Sequence, residues 1–250
     1  MRNLPENSVF YAIGDVHGMV DALTRLHLQI VRHHREHHEG RHAVVIHLGD
    51  YVDRGPDSKG VIELIMAMER QAAKSDEMTV VCLLGNHEEM LLQAVSGDSA
   101  ALDNWLRNGG HQTLASYRRL GEDVDEALFH FPRAHRDWLS DLPDVLLLER
   151  EKLVFVHAGI EPADFPFIDH QVALWTRSKR FFQTKNWKKN EALDGFRIIH
   201  GHTPTEGFEP EVAGQGRRIN VDTGAVYGGR LTAVKIDGAE PPEFLQAALP

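Results

Sequence analysis

Val9-Phe10-Tyr11-Ala12-Ile13-Gly14-Asp15-Val16-His17-Gly18 is a short β-rich run that stops in a polar turn. The chain then repeats this plan twice. Val20, Leu23, Leu26, Ile30 and Val31 recur at helical spacing, predicting a helix over 19–34. Ala43-Val44-Val45-Ile46-His47-Leu48 is a second apolar run, and it ends in Gly49-Asp50-Tyr51-Val52-Asp53-Arg54-Gly55. A second amphipathic helix is predicted over 59–70. A third strand over 79–84 ends in Gly85-Asn86-His87-Glu88, with helix again over 88–95. Strand, helix, strand, helix, strand argues for βαβ units and an α/β architecture. Ligands of such sheets sit beyond the carboxyl ends of the strands. The three polar clusters fall at those ends.

The rhythm breaks at 97–143. Helices are predicted over 100–107, 112–119 and 136–142, punctuated by Gly109-Gly110, Gly121 and Pro143, as a helical insertion beside the site. Strands at 145–148 and 153–156 predict a hairpin turning at Arg150-Glu151. Residues 161–196 read as a loop-rich, basic insertion carrying Arg177, Lys179, Arg180, Lys185, Lys188 and Lys189. Later strands are expected at 197–200, 218–221 and 231–236, with a peripheral tail from Asp237. Polar clusters spread from Asp15 to His202 must converge to make one site, so residues 1–250 read as a single domain.

The 250 residues are 42% hydrophobic and 26% charged, ordinary values for a soluble globular chain. A formal net charge of −10 is not that of a phosphate-backbone binder, so nucleic acid is disfavoured as a partner. A small phosphorylated substrate stays open, because bound metals supply local positive charge. No apolar run approaches the ~18 residues of a membrane span. The N-terminus shows no apolar signal core, so a cytoplasmic location is expected. Cys82, the one cysteine, reads as buried strand filler. The stretch His33-His34-Arg35-Glu36-His37-His38 reads as a solvated helix end rather than a metal site.

Aspartate, asparagine and histidine without thiolate are the ligands two hard or borderline divalent ions use. Asp50 is the candidate bridge, holding two ions ~3.5–4 Å apart. Asp15 and His17, two apart on a tight turn, can face one ion. Asn86, His157 and His202 can complete the other. Such a pair lowers the pKa of a bridging water and so generates a hydroxide nucleophile. His87 is the candidate general acid, with Asp53 fixing its tautomer and raising its pKa. Arg54 and Arg177 can each fork onto phosphate oxygens. Singly, each residue has an ordinary reading: a turn, a surface ion pair, a solvated charge. The coincidence of five ligand-bearing clusters at five strand ends is what argues for chemistry.

The three motifs resemble the GDxHG, GDxVDRG and GNHE signature of the phosphoprotein phosphatase family within the calcineurin-like metallophosphoesterases. His157-Ala158-Gly159 and His200-Gly201-His202-Thr203-Pro204 are similar to its downstream metal-histidine motifs. The likeness spans about residues 9–236. It implies a sandwich of two mixed β-sheets flanked by helices. It also implies two divalent ions, manganese first, with iron or zinc as alternatives. Carried over, Asp15, His17 and Asp50 would bind the first, and Asp50, Asn86, His157 and His202 the second. Asp53 and His87 would form the acid dyad, and Arg54 and Arg177 would hold phosphate. Many members carry arginine where this chain has Leu84, so that contact is missing or comes from Arg177, Lys179 or Arg180. Asn108-Gly109-Gly110 with Thr113 and Tyr117, and Asn220-Val221-Asp222-Thr223-Gly224-Ala225, resemble the small bacterial serine/threonine phosphatases.

The resemblance thus implies a metal-dependent phosphatase acting on a phosphorylated protein or a small phosphoester, most like a bacterial serine/threonine protein phosphatase. The first alternative is a symmetrical diadenosine tetraphosphate hydrolase or a phosphatase of another small phosphoester. The second is a non-catalytic metal-binding protein of the same fold, which predicts loss of a ligand or of the dyad. None is lost.

Overall fold

The computed structural model describes residues 4–118 and 131–248. Two five-stranded mixed sheets pack face to face. The first runs β10-β9-β1-β2-β3 and the second β4-β5-β6-β8-β7. In the first, β1 (Val9–Ile13), β2 (Ala43–His47) and β3 (Met78–Cys82) are parallel, joined by helices α1 (Val20–His37) and α2 (Ser58–Ala72). Ile13 stands opposite His47, and His47 opposite Cys82. The three strands therefore end level, and their polar loops leave the sheet side by side.

The second sheet repeats the device. It contains β4 (Val145–Leu148), β5 (Leu153–Val156), β6 (Arg197–His200), β7 (Glu211–Ala213) and β8 (Arg218–Asn220). β5, β6 and β8 are parallel, with Phe155 opposite Ile199 and His200 opposite Asn220. They release His157, His202 and Asp222 at one end.

Strand periodicity sorts the core. Phe10, Ala12, Val44 and Ile46 meet Phe155, Ile199 and Ile219 between the sheets. The alternate residues Val9, Tyr11, Ile13 and Val45 face Leu23, Leu26, Ile30 and Ile62 of α1 and α2. On the far side Val154, Val156 and Ile198 lie under Phe181, Trp187 and Phe196, so the basic insertion of 161–196 forms an outer layer. The inner strands β1, β2 and β5 are buried on both faces, as their continuous apolar runs require.

Three expectations change. The tail from Asp237 is not merely peripheral: Glu243–Ala247 forms β10, antiparallel to β9 (Leu231–Ile236), and Ala247 is buried. The histidine run is a solvated helix end only in part: Arg35, Glu36 and His37 are exposed, but its first histidine is not. His33 is buried, with Nδ1 on the Tyr11 hydroxyl and Nε2 3.0 Å from Glu243, and His34 also reaches Tyr11. A strand docked against α1, invisible in local pattern, covers it. The helix predicted over 100–107 ends at Trp105. Beyond α3 (Asn86–Ala94), α4 (Ser99–Trp105) passes into a π-helical turn, Leu106–Gly110, and then into α5 (His111–Tyr117). The helix end expected at Arg119 and the break at Gly121 lie outside the described residues. Cys82 is buried in β3 as expected.

Candidate dimetal centre and acid dyad

The site forms where the level strand ends of both sheets meet. Asp50 lies at its middle, buried, in the loop after β2. Its two oxygens look to different histidines: Oδ2 is 3.5 Å from His17 Nε2 and Oδ1 is 3.3 Å from His157 Nε2. Among the described residues, two groups have ligand atoms close enough to hold an ion: His17, Asp50 and His87, and Asp50, His157 and His202. Asp50 is common to both.

The donor chemistry fits cations. His157 donates Nδ1–H to the Leu48 carbonyl at 2.9 Å, which leaves the Nε2 lone pair facing inward. Asn86 Oδ1 lies 2.9 Å from that nitrogen and 2.9 Å from His202 Nδ1, and the two ring nitrogens are 3.2 Å apart. Burial holds His157 and His202 far below the usual histidine range, so both rings are neutral. Asp50 Oδ1, which also accepts the His87 backbone N–H at 3.1 Å, closes this group. His17 is built alike: Nδ1 sits 2.8 Å from the Val52 carbonyl, and burial keeps it neutral with Nε2 inward. Burial, with neighbouring acids, pushes the Asp50 and Asp15 carboxyls well above the usual carboxylate range. A divalent ion is what offsets such a cost.

Asp15 lies outside both groups. It accepts the His202 N–H at 3.0 and 3.2 Å and sits beside Asp222. Arg54 Nη1 donates to His17 Nε2 at 2.6 Å, and Arg177 Nε donates to His202 Nε2 at 3.2 Å. The two guanidiniums thus each reach one histidine of a different candidate group. Of the candidates to replace the arginine expected at Leu84, Arg177 reaches the centre. Lys179 is exposed, and Arg180 lies 3.7 Å from Glu161.

Backbone strain concentrates here. His17, Asp50, Asp53, Arg54 and His202 all have positive φ, from 43° to 72°. Each such non-glycine residue costs of order 1 kcal/mol and survives only where its surroundings enforce it. Glu88 does much of that enforcing. Fully buried, it accepts from the backbone N–H of Tyr51 (2.7 Å), Val52 (3.1 Å), Asp50 (2.8 Å) and Gly85 (3.0 Å). A Cβ at Gly85 would collide with the Asp50 backbone nitrogen, and one at Gly55 with the His17 carbonyl oxygen. Glycine is the residue that lets these loops touch.

His87 Nδ1 lies 2.6 Å from Asp53 Oδ2, with both residues buried. Trp105 Nε1 donates to both Asp53 oxygens at 2.9 Å, and the Thr113 hydroxyl donates to Oδ1 at 2.7 Å. Burial pushes the Asp53 carboxyl up to about 7. The expectation that Asp53 would raise the His87 pKa is reversed, because burial, with Arg54 and Arg177 nearby, holds His87 well below its usual value. The helical insertion therefore furnishes the dyad's support: Trp105 ends α4, Thr113 lies on α5, and the Gly109 carbonyl between them accepts the Arg54 N–H at 3.1 Å. The motifs gave no separate role to Glu88, Thr113 or Asp222, and Trp105, which by its aromatic ring alone was open to a base-stacking role, is buried on Asp53 instead. Asp222 did carry a signal, since it stands two residues beyond a strand's end, as Asp15 does.

A model of the calcineurin-like phosphoesterases matches residues 8–229. The chain is 29% identical over 248 residues to an asymmetrical bis(5'-nucleosyl)-tetraphosphatase, PrpE, of Oceanobacillus iheyensis, covering 91% of this chain and 88% of that protein. It is 26% identical over 237 residues to serine/threonine-protein phosphatase 1 of Salmonella typhimurium, covering 90% and 91%. A protein serine/threonine phosphatase structure from Saccharomyces cerevisiae superposes with a TM-score of 0.62 at 16% identity, covering 99% of this chain and 82% of that one. That last likeness speaks for the fold. Among the described residues, no helix is long and apolar enough to cross a membrane.

Proposed function

The chain belongs to the calcineurin-like phosphoesterase family, and from that premise we propose that it is a dimetal-dependent phosphomonoesterase of the serine/threonine protein phosphatase type. The observation that carries the reading is Asp50, whose two oxygens face separate histidine groups at 3.5 and 3.3 Å, the disposition of a bridging ligand. Asp15 and His17 would serve one ion, and Asn86, His157 and His202 the other, with manganese the first candidate and iron or zinc the alternatives. Two divalent ions bound there would supply a water acidic enough to attack phosphorus near neutral pH, and positive charge for the phosphoryl oxygens. Arg54 and Arg177 would grip the phosphate and orient it for in-line displacement. His87 would give its Nε2 proton to the departing oxygen in the form in which the Asp53 carboxyl, pushed up to about 7, keeps the proton facing Nδ1. A dyad this well supported suits a serine or threonine alkoxide, a leaving group that departs poorly unprotonated.

A second reading is hydrolysis of a dinucleoside polyphosphate, the substrate named for the PrpE relative. The side chains at the mouth support it. Tyr227 is 52% exposed with Arg54 5.8 Å from its ring centre, and Trp175 is 38% exposed beside His202. Exposed rings flanking phosphate-binding arginines offer faces for a base to stack on. Turnover of phosphoserine and phosphothreonine peptides and of diadenosine tetraphosphate, each with Mn²⁺ and with chelator, tests both. Chelator-sensitive phosphate release favouring peptides supports the first reading. Nucleotide release at far higher kcat/KM replaces it with the second. No turnover of either, with metal bound, refutes both.

A further inference from the structure

Asp222 leaves the end of β8 as Asp15 leaves β1, and the two carboxylates meet at the back of the site. Asp222 is 3% exposed. Its Oδ1 accepts the Gly224 N–H at 3.1 Å, but among the described residues no donor reaches Oδ2. The Asp15 carboxyl, itself buried and already receiving the His202 N–H, lies beside it. A Cβ at Gly201 would collide with Asp15 Oδ1 and stand 3.6 Å from Asp222 Cβ, so both side chains crowd that residue. A buried carboxylate oxygen without a donor, beside a second buried carboxyl, is costly unless a proton or a cation lies between them. Asp222 therefore has the signature of a ligand-site residue rather than a structural one.

We propose that Asp222 belongs to the metal centre, as the carboxylate that pairs with Asp15 to hold a divalent cation. This rests on the two-cation reading of the site and is independent of which phosphoester is cleaved. A cation between Asp15 and Asp222 would satisfy Oδ2 and explain why Asp15 stands apart from His17 and Asp50. The end of the site near Asp15 would then hold three buried carboxylates, Asp15, Asp50 and Asp222, against the neutral histidine and asparagine ligands of the other end. A site so divided favours a harder cation at the acidic end.

The test is D222N, with metal binding read directly. Asparagine keeps Oδ1 for Gly224 and turns an amide N–H₂ toward Asp15, so the chelated variant should melt at or above the temperature of the chelated wild type. Calorimetric titration with Mn²⁺ should then show one of two sites weakened by about ten- to a hundredfold, and a smaller rise in Tm on adding metal. Wild type that binds two Mn²⁺ ions while D222N matches it within about twofold overturns the proposal. So do D222N and D222S variants that both, chelated, melt well below chelated wild type or fail to fold, since that marks a structural carboxylate. Wild type that takes up no metal overturns the two-cation reading itself. Should D222N fail to fold, D222S removes the carboxylate with less bulk and must show the same weakened site.

Discussion

Replacing Trp105 with phenylalanine keeps the buried ring and removes one donor. That donor touches both oxygens of Asp53 at 2.9 Å. A hydrogen bond to a charged group contributes about 1.5–3 kcal/mol, and its loss in a buried site leaves the acceptor short. Asp53 retains Thr113 on Oδ1 and His87 on Oδ2, so the fold should survive with a loss of about 2 kcal/mol. The catalytic consequence is specific to the proton step. A positioned general acid contributes roughly 10²–10⁴ in rate, and each tenfold is about 1.4 kcal/mol. We expect W105F to lower kcat at least about tenfold on phosphoserine peptide, whose alkoxide needs that proton. p-Nitrophenyl phosphate, whose leaving group departs readily unprotonated, should be affected far less. The assay is steady-state kinetics on both substrates, with metal content measured on the same samples. An equal fall on both would refute the reasoning, because a general loosening of the site does not distinguish leaving groups. No fall on the peptide would refute it as plainly.

Other expectations follow from the same geometry. H87N should cut kcat on phosphoserine peptide about 10²–10⁴-fold while both metals stay bound; metal lost in proportion to activity would make His87 a ligand, as its closeness to His17 and Asp50 permits. D50N should weaken both metals together in calorimetry, and retention of either at wild-type affinity would contradict a bridging role. Metal at about a hundred times its Kd should stabilise the fold by about 2.7 kcal/mol, read as a rise in Tm that a chelator reverses. Far from the site, His27 and His47 meet at 2.9 Å through their Nε2 atoms, and burial pushes His27 down to about 4. The unfolded chain takes up a proton near pH 6.5 that the folded chain refuses until about 4, so stability is full above pH 6.5 and falls as the pH drops. Over that window His27 contributes about 3 kcal/mol. H27Q should flatten the slope of unfolding free energy between pH 4 and 6.5 by about one proton, measured by urea titration. An unchanged slope would place the titration elsewhere.

The parallel strands and their crossovers were legible because local rules decide them: apolar runs of five or six residues, helical spacing between them, and glycine-bearing polar turns after them. The candidate ligands were legible for the same reason, since Asp15, His17, Asp50, Asn86, His157 and His202 each stand within four residues of a strand's end. What local pattern could not carry was contact between distant segments. Trp105 lies 52 residues from the Asp53 it supports, and Asp222 is 207 residues beyond the Asp15 it faces. Glu88 read as one letter of a motif, and only the fold set it under four backbone N–H groups. His33 of α1 looked as solvated as its neighbours Arg35 and His37, which are exposed, but β10, far along the chain, meets it through Glu243. Sequence thus determined which side chains stand at which strand ends, because periodicity and turn chemistry act over a few residues. The tertiary structure alone decided which of them are buried together, which hydrogen bonds hold them in strained backbone, and how burial moves their protons, because those terms depend on what packs across the sandwich.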